Sequence, residues 1–140
     1  MNWREFHDIR EGLRAAEALH TELLQRRTEL FQMTQPGAIR YDQDKVQTSG
    51  GGDKLAAYME RMDAERLEER IRISKQHVEE WSYLYGKAIT ELRQSRDSWD
   101  RIYVFHFIDH VPVPRFRRLV GYSEQHIYRI IRRMKRERKC

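Results

Sequence analysis

The chain has almost no cysteine: one thiol, Cys140, at the last of its 140 positions. A single cysteine forms no intrachain disulfide and leaves any metal site to histidine and carboxylate ligands. Such usage points to a reducing compartment, the cytoplasm. Long apolar runs are also missing. No 18 consecutive residues are apolar, so the sequence predicts no membrane-spanning helix and no membrane partner. The opening MNWREFHDIREG is charged and amphipathic and lacks the apolar centre of a secretion signal. Gly50-Gly51-Gly52 has neither a following Lys-Ser/Thr nor a preceding strand, so it is no phosphate-binding loop. No nucleophile stands in a pattern with a base, and no cofactor fingerprint occurs, which argues against an enzyme and against a cofactor.

What the chain has is charge. Hydrophobic residues make up 39% and charged residues 35%, a balance that suits long solvated helices with narrow apolar seams. A core that thin stabilises a monomer weakly, so a homodimer is expected. The net charge of +5 is unevenly spread. Residues 112–140 hold ten Lys/Arg against Glu124 and Glu137, and residues 1–111 hold seventeen against twenty acids. The basic end has the footprint that a polyanion requires.

Periodicity predicts an all-α fold: a long antiparallel helical hairpin over 1–95, then a small helix-turn-helix bundle over 96–140. Residues 2–33 read as one helix through Trp3, Phe6, Ile9, Leu13, Ala16, Leu23 and Leu30, with the stripe interrupted near His20 and Arg27 and weakened at Gly12. Pro36, Gly37 and the run Thr48 to Gly52 predict a loop over 34–53. Asp53 is expected to cap a second helix running from Lys54 to Ser95. Along it Leu67, Ile71, Ser74, Val78, Trp81, Tyr85, Ala88 and Leu92 alternate by four and three as a coiled-coil seam, while Leu55, Met59 and Met62 lie in a shifted phase. This helix is expected to pack against the first within the chain, while pairing between chains, in addition or instead, stays open. Asp97 or Ser98 opens a third helix, apolar nearly all round, from Trp99 to Ile108, and His110 to Pro114 ends it.

The span 114–139 then reads as short helix, glycine turn and capped basic helix, which is helix-turn-helix grammar. The short helix is expected over Arg115–Val120, with Pro114 in its first turn. Gly121 reverses the backbone, and Ser123 caps the helix that begins at Glu124. On that helix Ile127, Ile130, Ile131 and Met134 make an inner face. Glu124, Gln125, Tyr128, Arg129 and Arg132 are the candidates for reading base edges in the major groove of double-stranded DNA. Arg115, Arg117, Arg118, Ser123, Arg133, Lys135 and Arg136 are the candidates for phosphate contacts. A solvated basic helix or a nonspecific RNA-binding tail would share the charge but not the ordered proline, glycine, serine and isoleucine positions.

YDQDKVQTSGGGDKL (41–55), the acidic-basic helix after it and FIDHVPVPRFRRLVGYSEQHIYRIIRRM (107–134) together resemble the phage late-gene transcription regulators of the RinA and ArpU kind. The last part is similar to region 4 of sigma factors, with Gly121-Tyr122-Ser123 at the turn and Ile127 and Ile130 at core positions. The likeness spans roughly residues 40–138. It implies a phage or prophage protein, working in the cytoplasm of a bacterial host, that binds a promoter, activates late, packaging or lysis genes and contacts RNA polymerase. Where that pattern has a capping Ser/Thr and a small residue in the first helix, this chain has Pro112 and Arg117; the arginine must point outward or push the helices apart.

Two rival readings remain open: a small-terminase-like DNA-packaging recognition subunit, and a protein-interaction module that binds RNA polymerase. His106 and His110, with Asp109 nearby, have metal-ligand spacing but no third strong ligand, and a core or turn role is the expectation. Glu65, Glu68, Glu69, Glu79 and Glu80 lie among Arg and Lys and read as surface pairs. Tyr41 and the 42–53 segment read as a connector, with partner docking as the alternative.

Overall fold

The computed structural model describes residues 1–33 and 50–138, with side chains for 1–33 and 54–138. Among the described residues the fold is all-α: α1 (Trp3–Gln32), α2 (Gly50–Glu65), α3 (Leu67–Arg93), α4 (Ser98–Tyr103), a π-helical turn (Val104–Ile108), α5 (Val113–Val120) and α6 (Glu124–Arg138). No described helix is long and apolar enough to cross a membrane. Tyr41 and most of the expected 34–53 loop lie outside the described residues.

Two compact units emerge, Met1–Leu13 with Trp81–Cys140, and Arg14–Glu80. The first takes in more chain than the expected 96–140. The start of α1 and the second half of α3 close its core, because a bundle of three short helices alone has too little surface to surround its apolar residues.

In both units α1 runs antiparallel to α3. Phe6 meets Tyr85 and Gly12 meets Trp81 in the first; His20 meets Ser74 and Arg27 meets Glu68 in the second. All eight seam positions of α3 are buried or half-buried. The interruptions of the α1 stripe have partners. His20 Nδ1 donates to the Oγ of Ser74, the one polar seam residue, at 2.7 Å, and that hydroxyl donates in turn to the Ile71 carbonyl at 2.8 Å. Arg27 pairs with Glu68 at 3.4 Å. Gly12 permits close approach, for a Cβ there would stand 2.6 Å from the Trp81 ring.

Several boundaries differ from expectation. The helix expected from Lys54 to Ser95 is broken at Arg66, whose φ of 50° is left-handed. The break lets the shifted Leu55–Met62 stripe and the Leu67 seam each turn inward: Met62 and Leu67 are both buried. Asp53 is not a cap, since α2 already begins at Gly50. Glycine costs about 1 kcal/mol per helical position and does not forbid the helix. At the other end α3 stops at Arg93, two residues early, so that Ser95 donates to Asp100 at 2.6 Å. The apolar third helix changes to π geometry at Val104. The Asp109 N–H donates to Val104 at 2.9 Å and the Val111 N–H to Phe105 at 2.8 Å, a widening common near functional sites. The turn brings Phe105 onto Phe116 and Phe107 onto Tyr103, each at 5.1 Å between ring centres.

Candidate nucleic-acid interface

The support of the candidate interface begins with the start of α1. Asn2 Oδ1 accepts from the Glu5 N–H at 2.9 Å, and the Glu5 carboxylate accepts from the Asn2 N–H at 3.4 Å, a reciprocal capping box. Asp100, buried beneath it, accepts from the Trp3 N–H at 2.8 Å. Asp97 caps α4, accepting from the N–H groups of Trp99 and Asp100. These bonds fix the floor on which α5 and α6 rest.

Helix α5 starts at Val113 rather than Arg115. Pro112 is its extended N-cap and Pro114 lies in its first turn, where an absent N–H leaves nothing unpaired. Val113 and Phe116 are buried, whereas Arg115, Arg117 and Arg118 are exposed. Arg117 therefore takes the outward course, and the two helices pack with no cation between them.

Gly121 ends α5 in the left-handed region, φ 84°, with its N–H on the Arg117 carbonyl at 2.8 Å. A side chain would meet no atom there but would strain the backbone. Ser123 Oγ accepts from the His126 N–H at 3.2 Å. Its acceptor lone pair thus caps α6, and the hydroxyl proton is what remains for a phosphate.

The inner face of α6 is as expected, with Ile127, Ile130, Ile131 and Met134 at 3% exposure or less. Gln125, Tyr128, Arg129, Arg132, Arg133, Lys135 and Arg136 are exposed; Glu124 is half-buried and is the least available of the candidate base readers. Gln125, Arg129, Arg132 and Arg136 recur at four, three and four residues, so they form one outward stripe opposite the isoleucines. The stripe contains no acid. Among the described residues none of Arg115, Arg117, Arg118, Arg129, Arg132 and Arg136 belongs to an ion pair. Arg133, on the flank, lies 5.6 Å from the Trp99 ring centre in a cation–π contact. On the opposite flank lies exposed Lys135, whose charge acts on His106. Burial first, then the charges of Lys135 and His110, hold that imidazole below its ordinary value.

The last turn of α6 is held by α1. Arg4 donates twice to the Glu137 carboxylate, and this bond holds Glu137 below the usual carboxylate range. Asp8 pairs with Arg138 at 3.2 Å. His7, 3% exposed, bridges the Arg138 carbonyl (3.2 Å) and the Tyr103 hydroxyl (2.9 Å). A carbonyl accepts only, so Nε2 carries the proton and, in the neutral ring, Nδ1 accepts from Tyr103. Partners 96 to 133 residues apart leave no local signal, and sequence reading missed all three α1 residues. It also passed over exposed His126, packed edge-on against Tyr122 at 4.6 Å, three residues before Arg129; its spacing along the flank was the available clue.

The other candidates separate. His106 stands edge-on to Phe107 at 4.7 Å, His110 sits at φ 53° in the turn, and Asp109 is engaged by two Arg93 hydrogen bonds, 2.8 and 3.0 Å. Among the described residues no three His, Cys, Asp or Glu gather as a metal site. Glu65 and Glu68 pair with Arg26 and Arg27 across to α1 rather than along their own helix, while Glu69, Glu79 and Glu80 are exposed. Compared with known proteins, the chain matches no family model, no curated protein and no solved structure.

Proposed function

We propose that the chain is a sequence-specific regulator of transcription that reads double-stranded DNA with α6, in the manner of the phage late-gene activators its sequence resembles. One observation carries the reading: α6 turns an acid-free stripe of Gln125, Arg129, Arg132 and Arg136 to solvent while four apolar residues lock its other face into a core. Protein self-pairing would have used those guanidiniums; left uncompensated, they suit a polyanion. Glutamine and arginine on the front of such a helix pair bidentately with adenine and guanine edges. Arg115, Arg117, Arg118, Arg133 and Lys135 flank the stripe and, with Arg136 at its C-terminal end, supply phosphate contacts, with Ser123 offering its hydroxyl proton. A homodimer would place two such helices on a pseudo-palindromic site, and RNA polymerase is the further partner this reading implies.

Selection of bound duplexes from a random pool at moderate salt tests it. The expected result is one enriched motif, whose affinity falls with salt at a log–log slope on the order of −5 per protomer if six cations reach phosphates. An unenriched pool would remove the reading. A ring of many chains on the enriched DNA would move it to a packaging subunit, and a stable polymerase complex with no DNA footprint would move it to an interaction module.

A further inference from the structure

We propose that the first turns of α1 are a clamp that sets the pose of α6, so that Arg4, His7 and Asp8 are positioning residues for base reading. The inference rests on the DNA-reading function above and adds to it residues far from the helix-turn-helix in sequence. The buried anchors of α6 end at Met134. Beyond them lie Lys135 to Arg138, a turn that carries the outward Arg136 and whose final carbonyls have no partner within the helix. Three contacts from α1 fall on this turn. Arg4 holds the Glu137 carboxylate with two hydrogen bonds, Asp8 pairs with Arg138, and His7 Nε2–H donates to the Arg138 carbonyl. The clamp is itself held firmly. Trp3 and Phe6 are buried on either side of Arg4, the Trp3 N–H is fixed by Asp100, and the other nitrogen of His7 is fixed by Tyr103.

The contacts have two consequences. They hold the second half of α6 against pivoting about its isoleucines, which keeps Arg132 at a constant distance from base edges and Arg136 from phosphate; hydrogen bonds to bases tolerate little misplacement. They also neutralise Glu137, the one acid in the last turn of α6, which would otherwise repel phosphate. Arg4 is thereby committed to Glu137 and is not itself a DNA contact.

The test is a charge swap in the full chain, read as the ratio of affinities for the selected site and a scrambled one at fixed salt. Taking this ratio cancels most of the nonspecific effect of altered net charge. Arg4→Glu and Glu137→Arg, each alone, set like charges against one another and should lower the ratio about three- to fivefold, the range open to a half-exposed pair. The double variant Arg4→Glu/Glu137→Arg has the wild-type net charge and a re-formed pair, and should return the ratio to within about twofold of wild type. A pair that mattered to folding alone would shift the thermal midpoint in the single variants and leave the ratio unmoved. Single variants at the wild-type ratio, or a double variant as poor as either single, would overturn the clamp while DNA reading stands. A wild-type chain that prefers no site would overturn both together.

Discussion

The unit formed by residues 1–13 and 81–140 and the unit formed by residues 14–80 use the same helices for different ends. Among the described residues the first has thirteen buried apolar residues in one cluster, four of them aromatic, and the second has five, none aromatic. The first packs ring on ring, Trp3 on Tyr103 at 5.7 Å and Phe105 on Phe116 at 5.1 Å. The second supplements a thin aliphatic seam with His20–Ser74, Arg26–Glu65 and Arg27–Glu68. If α6 reads DNA as proposed, its guanidiniums need a backing that does not yield, and close-packed aromatic cores yield least. A helical pair that acts as a body tolerates polar seams, whose exposed pairs contribute little.

The largest effects should come from cutting into the two cores. Phe116→Ala removes a fully buried ring from the first unit, with an expected loss of about 3–5 kcal/mol in urea unfolding and a loss of DNA binding. Leu30→Ala in the thinner cluster should cost nearer 2 kcal/mol and spare the DNA contacts. Equal losses in the two variants would erase the contrast.

Next comes a matched pair of glycines. Gly12→Ala drives a methyl into the Trp81 ring and should destabilise by about 1–3 kcal/mol despite the gain in helix propensity. Gly86→Ala, with no atom within 4 Å of the new Cβ, should stabilise by up to about 1 kcal/mol. If both changes had the same sign, the close approach of α1 to α3 would be wrong.

A smaller effect appears on acidification. Burial lowers the His106 pKa in the folded state, so between that value and the ordinary 6.5 the unfolded chain binds the proton more readily. Stability should be full above pH 6.5, decline as pH falls below it and level off beneath the folded-state value. His106→Gln should remove that slope, and an unchanged slope would place the titration elsewhere. Smallest of all, Arg27→Ala should cost less than about 1 kcal/mol, with the cost vanishing in high salt, as befits an exposed pair in the second unit.

Much of this was legible in the residues, and the limits have a common cause. The α3 seam, the isoleucine face of α6, the Gly121 reversal and the Ser123 cap all follow from short-range rules of periodicity and turn chemistry, and the structure has them where those rules place them. What escaped depends on partners distant in the chain. Gly12 read as a weak helix residue until Trp81 stood opposite it, and His20 and Arg27 read as flaws in a stripe until Ser74 and Glu68 faced them. The break at Arg66 showed beforehand as a change of apolar phase, with nothing local to say that one left-handed residue would absorb it. The outward face of α6 could be read residue by residue; its support by Arg4, His7 and Asp8 could not.

The most direct test is the affinity of wild type, Arg129→Ala and Lys135→Ala for the selected site and a panel of its single-base variants at one salt concentration. Arg129→Ala should lose about 1–3 kcal/mol on the selected site and become indifferent at one base pair. Lys135→Ala should weaken every duplex alike and make the salt slope shallower by about one. Identical profiles for the two variants, or a wild-type chain that binds the whole panel equally, would contradict a base-reading face on α6.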